Sequence, residues 1–311
     1  MDDELNVTYL TFGGHVEVEE YRYVYFVIIL TMYILIIYNN MTIVYLIWIH
    51  ENLHEPMYIF IAALLINSLL LSTNIYPKLL VDFLSEKQII SYTACLFQFY
   101  IFYSLVCSEF LLLAVMAYDR YVSICKPLQY PTIMTKQTVS IFLVLAWLVP
   151  ACQVAVATAM SANEKLCSHV LQGIYCNNIV YKLQCMISID RTIRDIIIMV
   201  NVGFLPLLFI LFTYTRILVI CYRSCREVRQ KAAQTCLPHL IVLIIFSCLC
   251  IYDVIIVQLE SHFPKIVSLI MTLQVILYHP LFNPIIYGVK MKEISKHLKR
   301  LLCRSPNELV S

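Results

Sequence analysis

The sequence predicts an all-α fold: a seven-transmembrane helix bundle with a short C-terminal amphipathic helix. Three observations predict it. The chain is 61% hydrophobic and only 14% charged, with a mean hydropathy of +0.79, whereas soluble domains run near 25% charged. Seven apolar runs are each long enough for the roughly 20 residues that cross a hydrocarbon core. They cover about 23–48, 58–81, 94–118, 138–160, 195–220, 237–258 and 266–289. Finally, Lys and Arg gather on one side of those runs, as the positive-inside rule requires. The runs are too long for barrel strands, and a helix satisfies its own backbone groups inside lipid.

Residues 1–22 form an N-terminal segment, 23–289 the bundle and 290–311 a tail. The segment opens with Asp2, Asp3 and Glu4 and has no basic, apolar leader, so the first run is expected to act as its own insertion signal. The second run follows Leu53-His54-Glu55-Pro56-Met57-Tyr58, and the third ends on Asp119-Arg120-Tyr121. The fifth begins among mixed charges (Asp190, Arg191, Arg194, Asp195) and contains Pro206. Pro238 either opens or kinks the sixth, and Pro284 kinks the seventh by removing a helix hydrogen bond. In 290–302, Ile294, His297, Leu298, Leu301 and Leu302 share one face, opposite Lys292, Lys296, Lys299 and Arg300. That pattern fits a helix lying on a membrane surface.

With the C-terminus inside, the inner segments hold 14 of the 22 Lys and Arg and six of the 20 acids. The first inner loop, with Glu51 and Glu55, runs against this trend. The N-terminus is then extracellular, and Asn6-Val7-Thr8 lies where N-glycosylation occurs. Asn40-Met41-Thr42 falls inside a span and is discounted. The chain is placed in the plasma membrane, with the lipid bilayer as partner and no nucleic-acid partner expected.

An Arg at a bilayer edge is costly unless it is paired or reaches water. Asp119 beside Arg120 can therefore form a latch that holds the inner end closed, while the bland reading is an Arg snorkelling to lipid phosphates. The basic stretch Arg223, Arg226, Arg229 and Lys231 borders the same end, or simply anchors anionic lipid. Helix rise puts Glu109 roughly 16 Å from Arg120, near mid-membrane. Ser68 and Asn40 reach a similar depth, with Asn283 shallower. Glu109 has two readings: a sodium ligand with Ser68, Asn40 and Asn283, or a protonated, hydrogen-bonded acid in a polar network. Apart from sodium, no cofactor is expected.

Four motifs in order carry a resemblance over nearly the whole chain. They are the first inner loop quoted above, Met116-Ala117-Tyr118-Asp119-Arg120-Tyr121-Val122-Ser123-Ile124-Cys125-Lys126-Pro127-Leu128, Lys231-Ala232 with Thr235-Cys236 and His239-Leu240, and Pro280-Leu281-Phe282-Asn283-Pro284-Ile285-Ile286-Tyr287. Together they resemble the odorant (olfactory) receptors of the rhodopsin-like (class A) G-protein-coupled receptors. Leu65-Ile66-Asn67-Ser68 and Tyr76-Pro77-Lys78 resemble fish members. The resemblance implies an extracellular odorant and an intracellular stimulatory heterotrimeric G protein that raises cyclic AMP. It implies a switch of Asp119, Arg120, Tyr121, Tyr214, Asn283, Pro284 and Tyr287. Four outer Cys allow three pairings; the resemblance implies Cys95–Cys176 and Cys167–Cys185. It places the ligand between the third, fifth, sixth and seventh helices, against Phe102, Tyr103, Val106, Cys107, Ile198, Val202, Ser247, Cys250, Val254 and Leu273.

Departures matter too. Ser68 stands where the family often has Asp, which weakens the sodium reading. Phe102 replaces the Asp of amine receptors, and Leu277 the Lys of opsins. Ser247 replaces the usual aromatic, a role Phe246 or Tyr252 can take. A transporter is disfavoured by the odd helix number and the lack of internal similarity between halves. An enzyme is disfavoured because the eight His show no His-Glu-x-x-His pattern.

Overall fold

The structure is a computed structural model, described for residues 8–15, 18–185, 189–223, 226–259 and 264–303. The elements in chain order are β1 (Tyr9–Phe12), α1 (Val18–Ile49), α2 (Pro56–Leu84), β2 (Ile89–Ser91), α3 (Tyr92–Cys125), α4 (Tyr130–Ile133), α5 (Lys136–Ala162), β3 (Val170–Leu171), α6 (Ile189–Ile198), α7 (Leu205–Arg223), α8 (Arg226–Leu259), α9 (Lys265–Lys290) and α10 (Lys292–Cys303). Among the described residues, seven helical segments are long and apolar enough to cross a membrane. They are α1, α2, α3, α5, α6 running into α7, most of α8, and α9. This is a multi-pass membrane protein.

Local chemistry sets the ends. Pro56 opens α2, where its missing N–H costs nothing. Ser91 caps α3 by accepting from the Ala94 amide (3.2 Å), and Thr135 caps α5 by accepting from Thr138 (3.2 Å). Between α6 and α7, Met199–Phe204 forms a wide π turn immediately before Pro206. Proline's lost donor suits such a turn. Pro238 lies inside α8, so it does not open that helix.

α3 is the central post, packed on α2, α5, α7 and α8. Its buried residues run its whole length, from Cys95 to Val122. The inner core joins Leu64, Leu113, Ile210, Val242 and Tyr287, while a separate outer cluster joins Ile36, Tyr76, Phe102, Tyr175 and Ile276. The outer helix faces expose Val27, Ile34, Val144, Phe212 and Ile244. In a bilayer these meet hydrocarbon, so exposure here satisfies the hydrophobic effect.

The sequence reading contained no strands, yet three lie at the outer end. β1 pairs with β2 antiparallel (Leu10 opposite Ile90) and with β3 parallel (Thr11 opposite Val170). Leu10 and Phe12 alternate inward onto Cys95, Leu171 and Cys176, so one face of β1 is buried. At Gly14 a Cβ would come within 2.7 Å of the Gly173 carbonyl carbon, so the two strands need glycine to approach this closely. His15 follows, edge-on to Phe12 and Phe83, with neither ring nitrogen hydrogen-bonded. Burial, then the Lys78 charge, lower its pKa to about 4.

Candidate functional site

Three layers stack along the bundle. At the inner end, Arg120 Nε donates to Asp119 Oδ2 at 3.0 Å, and a second guanidinium nitrogen donates to the same oxygen. Both residues are buried. The other carboxylate oxygen, Oδ1, accepts from the Tyr130 hydroxyl at 2.8 Å. Tyr130 sits on α4, where Pro131 and the short turn after Pro127 fold the loop back under α3. Burial, then the Asp119 charge, push the Tyr130 phenol above its ordinary range, so it remains a donor. Sequence reading missed Tyr130, because a tyrosine in a loop carries no signal of its own.

Tyr214 joins α7 to α8 through His239. The His239 Nε2–H donates to the Leu113 carbonyl (3.0 Å), which leaves Nδ1 to accept from the Tyr214 hydroxyl. One imidazole therefore ties α3, α7 and α8 together. Tyr287 is 1% exposed, and its hydroxyl has no hydrogen-bond partner among the described residues. Tyr121 packs against the inner core, partly buried.

At mid-depth, the Asn283 amide donates to Ser68 Oγ (3.1 Å) and to Glu109 Oε1 (3.4 Å). Asn40, expected in the same set, is turned elsewhere. Its Nδ2 donates to the Ile36 carbonyl (2.8 Å) and to the Pro280 carbonyl (2.9 Å). The reason is Pro284. It has no N–H to offer the carbonyl four residues earlier, and Asn40 supplies that missing donor across the bundle. Asn67 points away from this layer, accepting from Trp147 Nε1 (3.2 Å) and donating to the Leu105 carbonyl (3.0 Å). Glu109, Ser68 and Asn283 offer the hard oxygen donors a sodium ion takes, although Asn283 would have to present its oxygen.

Towards the outer end lies a cavity of about 170 Å³. α3 contributes Phe102, Tyr103, Val106 and Phe110; α8 contributes Phe246, Leu249 and Cys250; α2 and α9 contribute Leu71, Ser72, Ile75, Ile276 and Pro280. Asn178 closes the top from the second outer loop, its backbone N–H donating to the Tyr103 hydroxyl at 3.0 Å. Cys95–Cys176 and Cys167–Cys185 are both bonded. Gln98 braces the first, its Oε1 accepting from the Cys176 amide (2.9 Å) and its Nε2 donating to the Asn74 carbonyl (3.0 Å).

Of the expected wall, Phe102, Tyr103, Val106 and Cys250 line this cavity; Cys107, Ile198, Val202, Ser247 and Leu273 do not. Successive helical residues turn about 100°, so Cys107 and Ser247 lie past the edges of the faces set by Val106 and by Phe246 with Cys250. Ile198 and Val202 belong to the fifth span, where the wide turn changes the helical phase; α2 takes its place in the wall. Leu273 packs into the outer apolar cluster. The Val254 side chain and Asn6 lie outside the described residues. Phe246 fills the position beside Ser247 as the buried floor aromatic, 4.7 Å from Phe110 between ring centroids.

A paired arginine at one end of the central helix, a lidded cavity towards the other and seven spans define a receptor of the G-protein-coupled class. The olfactory receptor family model matches residues 29–305. The chain is 34% identical to human olfactory receptor 11A1 over 308 residues, covering 97% of this chain and 96% of that one. It is 33% identical to human olfactory receptor 5F1 over 299 residues (94% and 93%), and 34% identical to mouse olfactory receptor 5M5 over 288 residues (90% and 88%). The chain belongs to the olfactory receptor family. It is an odorant receptor and not an enzyme.

Proposed function

We propose that this receptor takes a small, neutral odorant into the cavity between α2, α3, α8 and α9 and activates an intracellular stimulatory G protein, raising cyclic AMP. The observation that carries the reading is α3 itself. The same rigid helix lines the cavity with Phe102, Tyr103, Val106 and Phe110 and carries Asp119–Arg120. A ligand that favours one position of α3 against α8 biases the latch at its far end.

The cavity also constrains the ligand. A water-sized group needs about 10–15 Å³ of such space, so 170 Å³ holds about a dozen such groups. Among the described residues no charged side chain lines it, and the polar edge is limited to Ser72, Tyr103 and Asn178. Neutral molecules with one or two polar atoms suit it better than zwitterions.

The N-terminus faces outward, with Asn6 glycosylated and the lidding loop in the oxidising compartment; α10 lies on the cytoplasmic leaflet of the plasma membrane. In the resting state Glu109, with Ser68 and Asn283, holds a sodium ion that competes with activation. An odorant screen in cells with a cyclic-AMP readout tests the whole reading. Arg120→Ala should abolish the response at unchanged surface expression. Val106→Trp, which fills the cavity, should raise the half-maximal odorant concentration at least roughly ten-fold, the scale of ~1.4 kcal/mol. Full signalling from Arg120→Ala would refute the latch, and an unshifted response from Val106→Trp would refute the cavity.

A further inference from the structure

We propose that the contact between His50, at the inner end of α1, and His297, on α10, is a proton-operated clasp: protonation of the His297 imidazole releases α10 from the bundle. The two rings meet with their centroids 3.7 Å apart and planes at 48°. His297 is 8% exposed and sits on the inward face of α10 with Ile294, which is fully buried. Neither residue takes part in the Asp119–Arg120 latch.

Hydrogen bonding assigns His297 to the neutral form. His50 Nδ1 lies 2.9 Å from the Leu46 carbonyl, which can only accept, so Nδ1 carries that ring's proton. His297 Nε2 lies 3.2 Å from the Asn52 amide nitrogen, which can only donate, so Nε2 keeps its lone pair. Protonating His297 would point a new N–H at the Asn52 amide.

The charged surroundings mostly oppose a proton. The titratable groups that act on His297 are His50 from α1, and Glu293, Lys296 and Arg300 from its own helix. Glu293 is the sole acid among them, and it also faces Lys296 at 4.0 Å. Burial, then His50 and Arg300, hold His297 below the ordinary imidazole range.

The sign follows from linkage. A docked imidazole that resists a proton loses its advantage as pH falls below the free value of about 6.5. If docked His297 stays neutral, the docking equilibrium falls roughly four-fold at pH 6.0 and roughly eleven-fold at pH 5.5. At neutral pH the clasp is closed. That the protons come from the cytosol rests on the inward placement of α10 proposed above, whereas the clasp itself does not.

Hydrogen exchange on the full-length receptor in nanodiscs tests it, because both membrane faces then see the same buffer. Exchange in the α10 segment, corrected for the intrinsic pH dependence of amide chemistry, should rise several-fold between pH 7.4 and 5.5, while α3 stays protected. His297→Phe keeps a ring in the contact and removes the titrating group, so it should flatten the response. Unchanged protection of α10 in the wild type at pH 5.5 would overturn the proposal. So would the same pH response in the wild type and in His297→Phe. The wild-type measurement decides the matter even where a variant fails to fold.

Discussion

Tyr130→Phe isolates one bond of the inner latch. It deletes the hydroxyl that donates to Asp119 Oδ1 at 2.8 Å and leaves the ring in place. A hydrogen bond to a charged group contributes about 1.5–3 kcal/mol. Tyr130 is only half-buried, so the lower end, about 1.5 kcal/mol, is the appropriate figure. In the proposed mechanism the bond exists while Asp119 holds Arg120 and is absent once Arg120 turns to the G protein. Its loss then shifts the resting–active equilibrium by about ten-fold towards the active state. Agonist-free cyclic AMP, normalised to surface receptor counted by antibody, should rise by that factor while basal activity is far from saturation. Asp119→Asn should rise at least as much. A Tyr130→Phe receptor with basal signalling equal to or below wild type, at equal surface density, would refute the resting-state role of this hydroxyl.

Two further outcomes are expected. Asn40→Leu leaves the Pro280 carbonyl without its donor and should cost about 1–3 kcal/mol, read as a lower thermal midpoint in detergent. Restoring the backbone donor with Pro284→Ala should make the same change at least about 1 kcal/mol milder; equal losses in both backgrounds would sink the exchange of donors. Because the folded pKa of His15, about 4, lies below the free value near 6.5, the β1 strap should weaken as pH falls through that window. The upper limit is about 3 kcal/mol, and the check is faster proteolysis of the N-terminal segment at pH 4.5 than at 7.4, abolished by His15→Phe.

Spans were readable because a bilayer imposes them: length, apolarity and charge asymmetry all act within one segment. Asp119–Arg120 was readable for the same reason, since adjacent residues need no fold to meet. Side-chain phase was harder. Val106 and Cys107 differ by one residue, and only the packing of α2 against α3 decides which faces the cavity. A wide turn at Met199–Phe204 leaves little trace in a uniformly apolar run, so Ile198 and Val202 were placed on the wrong footing. Asn40 was assigned to the right depth and the wrong partner, because the demand it meets is a carbonyl made vacant by a proline some 240 residues later. The outer strands escaped because they are two to four residues long and pair over large sequence separations.

Those strands impose an order on biogenesis. β1 is made first, but one of its partners is Val170–Leu171, and the adjacent bond to Cys95 needs Cys176. With the outward orientation proposed above, one edge of the amino-terminal strand must therefore wait, unpaired, in the lumen until four spans have been threaded and the loop beyond them has arrived. Any lesion that delays the fourth span leaves that strand's edge open to other chains, so a mutation far from the amino terminus can strand the receptor in the secretory pathway.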